Sequence, residues 1–248
     1  MSDILQNFDA PVRAAVIGAS GGIGQAFVKS LSQQDNIEKI FAFSRSKMEF
    51  DNFRVTKGFL DLTDEASIES AAAQCKDEAG GLNLIIVASG MLHAGNNLPE
   101  KSLRDLDMDA MQRCYAVNTF GPALVAKHFL PLIPKNERSV FAALSARVGS
   151  ISDNRIGGWY SYRASKSALN MVLKNAAIET ARRYKHAVIM GLHPGTVDTP
   201  LSKPFQGNVS HDIFTPEQSA EYLLRVIDKT SPEESGKCFA WDGEEIQP

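Results

Sequence analysis

The chain has 248 residues, a length suited to one α/β domain with a substantial buried core. Hydrophobic residues make up 44% and charged residues 22%, the balance of an ordinary soluble globular protein. The net charge of −3 gives no basic field for nucleic acid, and no apolar run approaches the roughly 18 residues of a membrane-spanning helix.

Residues 1–11 form a lead-in that carries Asp3 and Asp9 and no apolar signal core, which points to a soluble cytoplasmic protein. An apolar strand at 13–19 runs into a glycine-rich turn and then a helix at 22–33. Strand, glycine turn and helix are the context a dinucleotide-binding loop requires. Gly18 suits the tight turn, Gly22 lets backbone approach a pyrophosphate, and Gly24 permits close helix packing. The helix N-terminus adds unpaired N–H groups for phosphate.

Further strands are predicted at 39–45, 57–62, 82–90, 139–146, 187–194 and 237–242. Helical stretches lie between them at 63–78, 103–133, 160–184 and 215–229. This alternation implies a parallel sheet covered on both faces, a single α/β domain over 1–248. Leu84-Ile85-Ile86-Val87 shows no polar alternation, as suits a strand buried on both sides. Thr215-Pro216-Glu217-Gln218 reads as a helix start with a Thr cap, Pro at the first position and Gln completing a capping box. The cluster Arg182-Arg183-Tyr184-Lys185 reads as a solvated helix end. Gly18–Gly24, Gly90, Ser145 and Pro194 all fall at the C-terminal ends of strands, where such sheets bind ligands.

Tyr162-Arg163-Ala164-Ser165-Lys166 sets a phenol and an ammonium on one helix face. A phenol with a pKa of about 10 is a poor acid–base group near neutrality, and a neighbouring cation lowers that pKa. Cys75, Cys114 and Cys238 are scattered and odd in number, and the five histidines make no H-x-x-x-H pattern. No metal site is expected.

Together these residues resemble the short-chain dehydrogenase/reductase family across nearly the whole chain. Gly18, Gly22 and Gly24 match its cofactor loop, with Ser20 and Ile23 as contacts inside it. Asp61-Leu62 matches the acidic position that contacts adenine. Val87-Ala88-Ser89-Gly90 stands where the family has Asn-Asn-Ala-Gly, so Ala88 and Ser89 depart from the pattern and Ser89 and Gly90 remain as cofactor contacts. Asn118, Ser145, Tyr162 and Lys166 match the catalytic tetrad. The segment Pro194-Gly195-Thr196-Val197-Asp198-Thr199 matches the motif beside the nicotinamide, with Pro194, Gly195, Val197 and Thr199 as contacts. The stretch around Trp159 and Tyr162, and the tail from Asp242 to Ile246, are most similar to C-factor and sniffer-type carbonyl reductases.

The resemblance implies a doubly wound, Rossmann-like, seven-stranded parallel sheet in the order 3-2-1-4-5-6-7. It implies that Tyr162 exchanges a proton with a carbonyl or alcohol substrate, and that Lys166 lowers the phenol pKa and binds the nicotinamide ribose. Ser145 would donate to the substrate oxygen; the alternative is a strand-end serine capping the next turn. Asn118 would mark a local helix distortion; the alternative is a helix end. At the close of the second strand, Ser44 and Arg45 stand where a site for NAD has an acid, so NADP(H) is favoured over NAD. Arg45 as a solvated loop residue is the competing reading. Met91, Leu92, His93, Trp159 and residues 201–205 either line an apolar substrate pocket or serve as core and hinge. The long helices at 103–133 and 160–184 offer a homodimer or homotetramer interface of the family's type. Two other functions compete with NADP(H)-dependent reduction: a cofactor-bound signalling protein with little turnover, and a sugar-nucleotide epimerase, for which the chain is too short.

Overall fold

The computed structural model describes residues 4–8, 11–93, 98–208 and 212–248; the remainder of the lead-in, residues 1–3 and 9–10, lies outside the described residues. Strands β1 (Val12–Ile17), β2 (Ile37–Ser44), β3 (Val55–Phe59), β4 (Leu84–Val87), β5 (Ser139–Leu144), β6 (Ala187–His193) and β7 (Cys238–Ala240) form the parallel body of one sheet. Their order is β3-β2-β1-β4-β5-β6-β7. A short antiparallel strand, β8 (Glu245–Ile246), extends the edge beyond β7, so the sheet has eight strands where seven were expected. Two residues behind the Asp242-Gly243 turn are too short to register as a strand in sequence.

Helices α1 (Gly22–Ser32), α2 (Glu65–Ala79), α3 (Met108–Tyr115), α4 (Gly121–Phe129), α5 (Tyr160–Thr180) and α6 (Pro216–Lys229) cover the sheet. Alternate residues of each strand feed opposite cores. Ala14, Val16, Leu84 and Ile86 pack with Phe27 and Leu31 of α1 and Leu223, Leu224 and Ile227 of α6. Ala15, Ile17, Ile85 and Val87 pack with Ile68 of α2, Phe129 of α4 and Leu169 and Leu173 of α5. Strands buried on both faces explain the unbroken apolar run at β4.

Local chemistry sets the helix ends. Thr215 and Gln218 form the expected capping box, with Thr215 Oγ1 accepting from Gln218 N at 3.2 Å and Gln218 Oε1 from Thr215 N at 2.9 Å. The stretch at 103–133 is not one helix. Asp107 caps α3 through Ala110 N at 2.8 Å, which separates it from the single turn at Leu103–Asp105. Residues Ala116–Phe120 widen into a π-helical turn before Gly121-Pro122 opens α4. Pro122 has no N–H for the helical ladder, and a Cβ on Gly121 would come within 2.6 Å of Leu62 Cβ. The distortion expected at Asn118 is this turn. Helix α5 stops at Thr180, and Arg182, Arg183 and Lys185 beyond it are exposed.

The sheet order reverses between β1 and β4. The chain leaving β1 and the chain leaving β4 part there, and a cleft opens at their C-terminal ends.

Candidate active site

Gly18 leaves β1 at φ +87°, a left-handed conformation that glycine adopts without Cβ strain. Gly24 lies behind the loop, where a Cβ would collide with the Gly18 carbonyl oxygen. The N-cap of α1 is Gly21, which offers no side-chain cap, and the first turn carries no acid. The first N–H groups of α1 are therefore available to an anion. Gly18, Ser20, Gly22 and Ile23 line one side of a cleft of about 430 Å³. Ser44, Arg45, Asp61 and Leu62 line its far end, Ser89 and Gly90 its floor, and Ser145, Tyr162, Lys166, Pro194 and Thr199 its other end.

Four residues expected at the site sit one layer back from the cleft. Gly24 is one. Asn118 is fully buried. Val197 is buried and pairs with Phe214, and Gly195, at φ +75°, packs against the Phe214 ring.

Asn118 acts as a clamp. Its Oδ1 accepts from Met91 N at 2.8 Å, and its Nδ2 donates to Met91 O at 2.8 Å and reaches Ser165 Oγ at 3.1 Å. Ser165 Oγ in turn donates to Tyr162 O at 2.8 Å, and Thr119 Oγ1 to Ser165 O at 2.8 Å. The π turn thus ties the segment after β4 to the helix that carries Tyr162 and Lys166.

Ser145, just past β5, donates to Asn170 Oδ1 at 2.7 Å. Asn170 was not anticipated. The signal is in the sequence, since Tyr162, Lys166 and Asn170 recur every fourth residue on one face of α5. Glu100 was also missed. Its buried carboxylate accepts from Ser161 N at 3.2 Å and from Ser161 Oγ, while its carbonyl accepts from Trp159 N at 2.5 Å. These bonds fix the start of α5, where Trp159 is held left-handed at φ 51°, ψ 43°. No spacing rule connects residue 100 to residue 161.

Lys166 is 2% exposed and donates from Nζ to Leu144 O at 2.7 Å. Burial lowers its pKa from 10.5 to about 8. Its Nζ lies 5.7 Å from the centre of the Tyr162 ring. The expectation that Lys166 lowers the Tyr162 pKa does not hold in this state. Tyr162 is half-buried, and burial, followed by the nearby Cys114 thiol, pushes its phenol well above the ordinary value. The ammonium is turned to the Leu144 carbonyl, and desolvation sets the direction of the phenol's shift.

Arg45 is exposed and reaches Asp61 with Nη1 to Oδ2 at 3.8 Å. Burial works to raise the Asp61 carboxyl, but hydrogen bonds from the Thr63 backbone and hydroxyl, with Arg45, outweigh it and hold the pKa below the ordinary range. The Ser20 and Ser44 hydroxyls are bonded to each other beside this pair. Rings that the sequence left as pocket or core gather around Tyr162. Trp159 meets Tyr162 at 6.3 Å and Phe205 at 5.2 Å, and Phe205 meets His93 at 5.8 Å, each nearly edge to face. Cys75, Cys114 and Cys238 are buried free thiols, and burial pushes each of them up.

A parallel sheet with a glycine-rich crossover at its switch point and a Ser, Tyr and Lys meeting beside it defines a dinucleotide-dependent oxidoreductase fold. Residues 13–209 match the short chain dehydrogenase family, and the chain belongs to it. It is 33% identical over 235 residues to 1-hydroxy-2-glutathionyl-2-methyl-3-butene dehydrogenase of Rhodococcus sp. (strain AD45), covering 94% of this chain and 97% of that one. It is 36% identical over 145 residues to C-signal of Myxococcus xanthus, covering 58% and 82% of the two chains. Among solved structures, the NADPH-bound carbonyl reductase from chicken fatty liver superposes with a TM-score of 0.84 at 25% identity, over 100% of this chain and 99% of that one. Carbonyl reductase Sniffer of D. melanogaster also superposes with a TM-score of 0.84, at 20% identity over 97% and 100%. The protein is an oxidoreductase of this family. Among the described residues no helix is long and apolar enough to cross a membrane.

Proposed function

We propose that the protein reduces a carbonyl substrate with NADPH, with Tyr162 as the proton donor. The observation that carries this reading is the meeting of Ser145, Tyr162 and Lys166 at one end of the cleft whose other end holds the open α1 N-terminus and Arg45. The residues fit a dinucleotide with a 2′-phosphate: bare N–H groups and glycines for the pyrophosphate, and Arg45 with the Ser20 and Ser44 hydroxyls for the extra phosphate. The NADPH-bound state of the chicken carbonyl reductase, and its likeness to this chain, support the same cofactor here.

The bound cofactor supplies the hydride. Once its proton turns from Asn170 Oδ1 to the substrate, Ser145 joins Tyr162 in holding the carbonyl oxygen and stabilising charge as it develops there. Tyr162 then releases its proton to that oxygen. A phenol raised by burial is held neutral, as a donor must be. Lys166, its pKa lowered to about 8, can give up the Leu144 carbonyl for the cofactor ribose. Asn118 and Asn170 position the groups without touching substrate. The rings of Trp159 and Phe205 favour an apolar or aromatic substrate.

The likeness to C-signal favours a second reading, a cofactor-bound signalling role with little turnover. Exposed Phe120, Met171 and Ile178 on the π turn and α5 support self-association through these helices. The experiment that decides is a screen of NADPH oxidation against aldehydes and aryl ketones. Turnover supports the reductase, and NADPH binding without turnover of any compound supports the signalling reading.

A further inference from the structure

Tyr162 borders two cavities. One is the large cleft; the other is a small cavity of about 30 Å³, also lined by Met91, His93, Glu100, Cys114 and Ser161. It has room for about one water-sized group. The polar groups around it are mostly engaged: Glu100 takes both Ser161 donors, and the Cys114 sulfur contacts Ser165 Oγ at 3.5 Å. Arg113 also borders the cavity, on an exposed side chain, and His93 is the group there with a buried, unmatched atom. Among the described residues its Nε2 is buried with no hydrogen-bond partner. A buried polar atom left unmatched is costly, and such atoms in folded proteins are rare enough to need a reason. The His93 ring is held edge-on to Phe205, which packs on Trp159, which packs on Tyr162. The unmatched nitrogen therefore belongs to the same ring wall as the proton donor.

We infer that His93 is a specificity-determining residue and that the preferred substrate is a hydroxy carbonyl compound, whose hydroxyl enters the small cavity and pairs with His93 Nε2. This rests on the reductase reading above. A hydroxyl suits the site because it both donates and accepts, and so pairs with the ring nitrogen whether or not that nitrogen carries a proton. It is also small enough for the cavity. A substrate with a methyl in that place would leave Nε2 unmatched, which is how a built polar site rejects an isostere.

The test uses 2-hydroxyacetophenone and propiophenone, which differ by a hydroxyl in place of a methyl. NADPH-dependent kcat/KM is measured for both in the wild-type protein, His93→Phe, His93→Leu and His93→Gln, each checked for a normal melt. The α-hydroxyl also activates the carbonyl electronically, but equally in every protein, so the change in the hydroxy-to-methyl ratio isolates His93. The ratio should fall roughly five- to tenfold in His93→Phe and His93→Leu, the worth of one hydrogen bond. His93→Gln, which can still donate or accept, should retain most of it. An unchanged ratio in the Phe and Leu variants, or an equal loss for both ketones, overturns the inference and leaves the reductase reading standing. Failure of the wild-type protein to oxidise NADPH with either ketone or with any compound of the wider screen overturns the reductase reading, and this inference with it.

Discussion

Lys166→Met isolates the cost of placing a buried cation at the Tyr162 end of the cleft. The side chain is 2% exposed, and burial draws its pKa from 10.5 down to about 8. At about 1.4 kcal/mol per pKa unit, the folded protein disfavours the protonated lysine by roughly 3 kcal/mol. Methionine is similar in length and carries no charge. The substitution removes that cost and leaves the Leu144 carbonyl without its 2.7 Å donor, a loss of about 1–3 kcal/mol. The cofactor-free variant should therefore be as stable as the wild type at pH 7, or more so by up to about 2 kcal/mol. The pH dependence is the sharper quantity. Between pH 8 and 10.5 the unfolded lysine holds a proton that the folded one has released. Wild-type stability gains from this group as pH rises through that window, and loses the gain as pH falls back through 8. The variant has no such contribution, so its advantage should shrink from pH 8 upward, by roughly 3 kcal/mol if followed to completion. Urea unfolding of both cofactor-free proteins at pH 7, 8, 9 and 10 measures it. A stability difference that does not move with pH would refute the reasoning, because it would mean that Lys166 is not desolvated.

Arg45→Ala should cost NADPH roughly tenfold in affinity and leave NADH nearly unchanged, since one charge-assisted pair with the 2′-phosphate is lost; calorimetric titration of both cofactors reads this. Arg45 is exposed and already leans on Asp61, so a much larger loss is not expected. Glu100→Ala strips Ser161 of its acceptor and should destabilise by about 1–3 kcal/mol in a urea melt, whereas Glu100→Gln, which keeps a carbonyl oxygen, should retain most of that stability. Unequal effects on kcat and KM in Glu100→Ala would show that the loosened start of α5 also displaces Tyr162 and Trp159.

Sequence carried most of the fold because its signals are local. The apolar run of β4, the glycine turn after β1 and the Thr215–Gln218 box each state their own structure. The distortion that the resemblance implied at Asn118 has a local cause of the same kind, since Pro122 removes a ladder donor wherever it stands. What sequence did not show depends on distance in space. Glu100 and Ser161 are 61 positions apart and meet only once the segment before α3 folds over the start of α5. Four-residue spacing brings the Lys166 ammonium near Tyr162 but does not set the direction in which it points. Lys166 turns to Leu144, and burial decides the phenol. The two-residue β8 strand has too little sequence to show any period.

The most direct test of the proposed chemistry compares wild-type protein and Tyr162→Phe in NADPH oxidation with a carbonyl compound that the wild type reduces. The account predicts a fall in kcat of at least about a hundredfold, the usual share of a positioned acid–base group. NADPH affinity and melting temperature should stay close to wild type, because only one hydroxyl is lost. A Phe variant that keeps most of the wild-type rate would contradict it and remove Tyr162 as the proton donor.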